Sequence, residues 1–253
     1  MTDTPLADRL VAHRGYAARY PENTLLAVRE ALNAGAQFVE VDIQLSADHV
    51  VVVFHDDDTQ RLCGQGGAVQ ALHRAELAAL SCHYPSRFGE NYRGETLATL
   101  AGLRLLMQQF PDVVFFIEFK RGSIEHFGRR EFLQAAASGL AAVRDQVVLI
   151  SYDRPILQQA AELGWRIGAV QDHWPEADDQ VLQQLKPEFL FLDVTALPDG
   201  PLAWQGLRLA VFEVADADQA LALMHRGIEL VETFDIGEMR YALTCKQEAL
   251  DSQ

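Results

Sequence analysis

VVLISYDRPILQQAAELGWRIGAV, residues 147–170, holds the pattern on which the fold turns. VVLIS and RIGAV are short apolar runs of strand length, and PILQQAAELG between them carries Leu and Ala at helical spacing. Strand, helix and strand in immediate succession predict a parallel pair joined by a helical crossover.

The same alternation extends in both directions. LVAH (10–13), FVEVDI (38–43) and VVFFIEF (113–119) precede this unit; FLFLD (189–193), RLAVFEV (208–214) and ELVET (229–233) follow it. Helical patterns lie between them: TLLAVREALNAG, TLAGLRLLMQQF, RREFLQAAASGLAAV, QVLQQL, a short turn near PLAW, and DADQALALMHRG. Eight β/α units in a chain of 253 residues match a closed (β/α)8 TIM barrel of the α/β class, whereas a doubly wound sheet needs fewer strands and a phosphate-binding glycine loop. GQGG at 64–67 lacks the flanking strand and helix of such a loop and reads as a turn. The expected organisation is one domain over 1–253, with VVVVFHD (50–56) as an additional strand and a small inserted subdomain at about 57–94, after the second strand.

Composition narrows the function classes. A net charge of −15 repels polyphosphate backbones, and no basic run offers a nucleic-acid groove. The N-terminus lacks an apolar leader, and no segment approaches the roughly 18 apolar residues of a membrane span, so a cytoplasmic protein without membrane insertion is expected. Cys63, Cys82 and Cys245 show no CxxC spacing and read as free thiols.

In such a barrel the strands' C-terminal ends line one mouth, where chemistry takes place. His13 and Arg14 end the first strand, Glu40 and Asp42 lie near the end of the second, His55 ends the additional strand, and Glu118 and Lys120 end VVFFIEF. Period-two alternation turns Glu40 and Asp42 to one side, and likewise Glu118 and Lys120. Three converging carboxylates call for a cation, and all-oxygen ligands favour Mg²⁺ or Ca²⁺. A hard cation beside Arg14 and Lys120 describes a site for phosphate. Two histidines add proton transfer near neutral pH, which together is the equipment for cleaving a phosphodiester.

HRG, PENT, FVEVDIQL, VVFHD and FIEFK, in this order and spacing, resemble the glycerophosphodiester phosphodiesterases. RLCGQGGAV and FGENYRGETLATL extend the resemblance over most of residues 11–120. It implies a (β/α)8 barrel with a small inserted subdomain that hydrolyses glycerophosphodiesters to an alcohol and glycerol 3-phosphate with one Ca²⁺ or Mg²⁺. Carried onto this chain, the catalytic pair falls on His13 and His55, the metal ligands on Glu40, Asp42 and Glu118, and the substrate contacts on Arg14 and Lys120. Glu22 and Asn23 in PENT would orient these groups and start the following helix.

The second half departs from the family pattern. Phe212-Glu213-Val214-Ala215 stands where Trp-Thr-Val-Asn is common, and Thr233-Phe234 where Thr-Asp is usual. Phe212 preserves an aromatic wall for the substrate's glycerol chain, while Glu213 brings negative charge to the mouth. The expected partner is a small-molecule glycerophosphodiester; the alcohol leaving group, the oligomeric state and the choice between water and an internal hydroxyl as nucleophile stay open. Two alternatives remain at this level: a lysophospholipid-cleaving phosphodiesterase on the same barrel, and a non-catalytic binder of phosphorylated metabolites. Asp193 and Gln171, single polar strand ends, are expected to be structural. His49, His73, His83, His126, His173 and His225 are expected at the surface, and Tyr84, Phe88 and Tyr92 either cap the mouth or pack the insertion.

Overall fold

Apolar strands separated by amphipathic helices can bury both sheet faces only if the helices surround the sheet. A computed structural model, describing residues 4–176, 179–204 and 206–252, shows that arrangement. The strands are β1 (Leu10–His13), β2 (Phe38–Leu45), β3 (Val51–Val53), β4 (Ala98–Thr99), β5 (Val114–Phe119), β6 (Val147–Ser151), β7 (Arg166–Gln171), β8 (Phe189–Asp193), β9 (Arg208–Phe212) and β10 (Leu230–Thr233). β1, β2 and β5 to β10 are parallel, and β1 pairs with both β2 and β10, so the eight close into a barrel. All eight runs expected as barrel strands take that place. β3 pairs antiparallel with β2, and β4 with β3, forming a flap on the barrel wall.

Alternation divides the side chains into two layers. Val39, Val41, Ile43, Phe115, Ile117 and Phe119 face the helices and belong to the largest buried cluster. Val11, Phe116, Val148, Ile150, Val170, Phe189, Phe191, Ala210 and Leu230 fill the barrel interior. Phe116 meets Phe189 and Phe191 edge to face at 5.0 and 4.9 Å. The interior is therefore a packed plug, and polar inward-facing groups are left to the C-terminal end.

At the N-terminal end the strand starts are tied by ion pairs running around one side. Glu188 accepts from Arg166 and Arg208, Arg208 donates to Glu229, and Arg9 donates to the Glu229 carbonyl.

Three elements differ from the sequence expectation. Residues 201–204 near PLAW are irregular, and the only helical turn between β8 and β9 among the described residues is Val194–Ala196. The eighth outer helix is Ile236–Asp251, whose buried Ile236, Met239 and Leu243 are set among many polar residues that blur its periodicity. A further helix, Arg121–Phe127, follows β5 directly and contributes the Ser123 hydroxyl to the Leu45 amide at 2.9 Å.

The insertion holds short helices at Gln60–Cys63, Arg74–Ala78 and Pro85–Phe88 around a separate buried cluster that includes Phe54, Leu62, Cys63, Leu77 and Cys82. Cys63 and Cys82 are buried free thiols, and Cys245 is exposed. His83 is buried, not at the surface, with Nδ1 against the Ser81 carbonyl at 2.9 Å; a packed insertion uses the ring as filler. Gln171 and Asp193 are structural as expected: Gln171 accepts from Arg154, and Asp193 accepts from the Thr195 amide. No helix among the described residues is long and apolar enough to cross a membrane.

Candidate active site

The turn after β1 is built for close approach. Arg14 and Gly15 both have positive φ, 58° and 80°, and a Cβ on Gly15 would lie 2.7 Å from the Ala27 backbone. HRG needs its glycine because the turn rests directly on the helix Leu25–Asn33. This turn aims the Arg14 amide at Glu40 Oε2, 3.1 Å away. Asn23, also at positive φ (57°), donates to Asp42 Oδ2 at 2.8 Å and accepts from the Asp42 amide at 3.1 Å. Thr24, one residue later, caps the helix by accepting from the Ala27 amide. PENT thus orients the acidic strand and starts a helix, as its reading implied.

Strand register sets the rest. β1 and β2 place His13 opposite Glu40, and β2 and β5 place Asp42 opposite Glu118. Oxygens of Glu40, Asp42 and Glu118 lie within 4.8 Å of one another. Lys120 Nζ stands 3.2 Å from Asp42 and 3.1 Å from Glu118, and Arg14 Nε is 3.3 Å from Asp42.

These residues meet at one cavity of about 130 Å³, lined by His13, Arg14, Glu40, His55, Glu118 and Lys120 on one side and by Ile150, Tyr152, Val170, Phe191, Phe212, Glu213 and Glu232 on the other. A cavity of roughly 150 Å³ holds a benzene ring, so this one suits a single compact polar group. Every residue expected at the site lines it except Asp42, which lies buried beneath Arg14 and Lys120. Tyr84, Phe88 and Tyr92 do not line it; they pack edge to face on one another within the insertion.

The electrostatics show what the cluster calls for. Burial, then the Asp42 charge, pushes the Glu40 carboxyl well above its usual range, and Glu118 is raised for the same reasons. Burial opposes Asp42 ionisation too, but Arg14 and Lys120 hold its carboxyl below the ordinary range. Glu40 Oε1 is buried without a hydrogen-bond partner. An orphaned carboxylate oxygen beside two further carboxylates fits a hard divalent cation, with Glu40, Asp42 and Glu118 as its protein ligands.

His13 is buried between carboxylates. Nε2 is 3.5 Å from Glu40, and Nδ1 is 3.1 Å from Glu213 and 3.7 Å from Glu232. Phe234 stacks on the ring at 4.8 Å. Burial holds the imidazole below its ordinary pKa, against the opposing pull of Glu213. His55 lines the same cavity, with Nδ1 on Asp56 Oδ1 at 2.7 Å.

Three groups were not singled out from sequence. Glu232 is buried, with Oε1 unpartnered, and burial followed by the Glu118 charge raises its pKa well above the usual range. Its signal was a carboxylate two residues beyond Leu230 in ELVET, on the inward side by alternation. Asp56 meets its own chain neighbour His55, whereas Arg61 reaches Glu22, 39 residues away, only through tertiary contact, although both lie within quoted motifs.

Residues 13–154 match the Glycerophosphoryl diester phosphodiesterase family. A glycerophosphodiester phosphodiesterase of Caldanaerobacter subterraneus subsp. tengcongensis is 30% identical over 154 residues, 61% of this chain and 62% of that protein. One from Bacillus altitudinis is 28% identical over 144 residues, 57% of this chain and 58% of that protein. The chain thus spans less than two thirds of the length of these relatives. Among solved structures, an Oleispira antarctica phosphodiesterase in complex with the product sn-glycerol-3-phosphate is 25% identical, with a TM-score of 0.83 over 93% of this chain and 96% of that one. A glycerophosphodiester phosphodiesterase of Thermotoga maritima, 24% identical with a TM-score of 0.70 over 90% of this chain and 95% of that one, shares the fold.

Proposed function

Because the chain belongs to the glycerophosphoryl diester phosphodiesterase family, we propose that it hydrolyses small glycerophosphodiesters to an alcohol and glycerol 3-phosphate with one divalent cation, Mg²⁺ or Ca²⁺. The observation that carries this reading is convergence: three carboxylates within 4.8 Å, with two histidines, an arginine and a lysine on the same small cavity. The product complex of the Oleispira protein supports it through a shared fold.

Glu40, Asp42 and Glu118 would hold the cation, which when bound neutralises phosphoryl oxygens and acidifies an attacking hydroxyl or water. Arg14 supplies a forked donor for two phosphate oxygens, and Lys120 supplies a point charge. One of His13 and His55 takes the nucleophile's proton as the new P–O bond forms. The other returns a proton to the alcohol oxygen as the old bond breaks. His13, kept neutral by burial, has a lone pair available at neutral pH. Asp56 accepts from Nδ1–H of His55, which leaves Nε2 for proton exchange. Phe212, with Phe191 and Val170, offers an apolar wall to the carbon chain.

Release of glycerol 3-phosphate from glycerophosphocholine and glycerophosphoethanolamine, measured after chelation and after return of Mg²⁺ or Ca²⁺, tests the proposal. Cation-dependent release is expected. No release from either diester with either ion would overturn it.

A further inference from the structure

The insertion contributes no side chain to the cavity wall, yet RLCGQGGAV places one residue where it touches both halves of the machinery. Arg61 opens that motif, in the short helix Gln60–Cys63, whose Leu62 and Cys63 anchor it in the insertion core. Its guanidinium lies 5.1 Å from the Tyr84 ring centroid.

One edge grips Asp56: Nε to Oδ2 at 2.6 Å and Nη2 to Oδ1 at 2.8 Å. The other grips Glu22: Nη1 to Oε2 at 3.0 Å and Nη2 to Oε1 at 2.8 Å. Each carboxylate shares an oxygen with a working residue. Asp56 Oδ1 also meets His55 Nδ1 at 2.7 Å, and Glu22 Oε1 also accepts from Arg14 Nη1 at 2.8 Å. One planar fork therefore bridges the carboxylate that orients a histidine and the carboxylate that orients an arginine.

We infer that Arg61 is a positioning residue that sets His55 through Asp56 and Arg14 through Glu22, so that docking of the insertion completes the site. This rests on the proton-transfer role of His55 and the phosphate role of Arg14 proposed above. The guanidinium is the fitting group because five donors in a fixed plane satisfy two carboxylates at once. An ammonium reaches the same place but cannot hold both edges. Without the bridge, Asp56 and Glu22 can turn, and with them His55 and Arg14; a displacement on the ångström scale suffices to cost about a hundredfold in rate.

The test pairs a spectroscopic readout with kinetics on the full chain in Mg²⁺ buffer. Long-range ¹H–¹⁵N correlation reports the His55 tautomer, and turnover of glycerophosphocholine reports the reaction. The wild type is expected to hold His55 in a single Nδ1–H tautomer. Arg61→Ala should give a mixture and lower kcat/KM by roughly 10- to 100-fold. Arg61→Lys should keep the melting temperature but most of the kinetic loss, with KM raised through Arg14 and kcat lowered through His55. Arg61→Ala combined with Asp56→Ala should lose less than the product of the two single losses, because both act along one chain of contacts. If Arg61→Ala does not fold, Arg61→Lys and Asp56→Ala carry the test. An unchanged His55 tautomer with kcat/KM within about twofold of wild type in Arg61→Lys and in any folded Arg61→Ala would overturn the inference. A wild type without turnover whose His55 tautomer still depends on Arg61 would leave the positioning intact and sink the diesterase reading instead.

Discussion

His13 and Arg14 stand side by side at one strand end with different tasks, and single substitutions separate them. Replacing His13 or His55 by Ala should lower kcat by roughly 10² to 10⁴, the usual contribution of a general acid or base, with little change in melting temperature. A nitrophenyl diester departs without protonation, so loss of the acid should be largely rescued on that substrate and loss of the base should not. Equal rescue of both variants, or of neither, would refute the division of labour. Arg14→Ala should lower kcat/KM by at least about tenfold, since a charge-assisted contact contributes roughly 1.5–3 kcal/mol. Lys120→Ala should do less, because water can partly replace a point charge. Unfolding of Arg14→Ala would point to a role confined to the Asp42 and Glu22 pairs.

At the scale of the element, β2 carries the site. Its pleat sends Val39, Val41 and Ile43 to the helices and Glu40 and Asp42 to the mouth, so one strand builds core and cluster together. Glu40→Gln with Asp42→Asn should abolish Mg²⁺ and Ca²⁺ affinity in calorimetry; retained affinity would dismiss the ligand assignment. Binding to the native state alone adds about 2.7 kcal/mol at a hundredfold excess over Kd, which for a chain of this size raises Tm by roughly 5–10 °C. A wild type that melts at the same temperature with and without the ion would contradict the linkage. The β1 turn has a separate vulnerability: Gly15→Ala combines positive φ with a 2.7 Å backbone clash and should destabilise by more than about 1 kcal/mol in denaturant unfolding.

Across the whole molecule, reactive groups gather at the strands' C-terminal ends and ion pairs at their N-terminal ends. Hydrogen bonds from Arg166 hold the Glu188 carboxyl below its usual pKa, against partial burial. A depressed folded-state value adds stability that is present above the unfolded pKa of about 4.3 and is lost as pH falls through the folded value. Glu188 is about a third exposed, so the gain should stay below about 1 kcal/mol. Glu188→Gln should therefore melt slightly lower than wild type at pH 7, converge with it once pH has fallen below the depressed folded-state value, and keep full turnover. A turnover loss in Glu188→Gln would break the separation of the two ends.

The pattern of apolar runs determined the eight strands, because a strand buried on both faces must be apolar up to its end, as VVLI in VVLIS and FLFL in FLFLD are. The same period carried Glu40, Asp42, Glu118 and Lys120 to one side, and strand ends on the mouth gave His13, Arg14 and His55, to which the ordered motifs added expected roles. The helix Ile236–Asp251 was hidden because it buries a narrow stripe among polar residues. Glu232 was within reach of alternation but lay in a strand otherwise read as core. The Arg61 bridge was not within reach: Glu22 and Asp56 lie 39 and 5 residues from it along the chain, and only the folded insertion brings the three together. Local sequence dictates which way a side chain points from its own strand, since backbone sterics set that direction residue by residue. Which carboxylate a side chain then meets depends on how separate segments dock, and that was decided by tertiary structure.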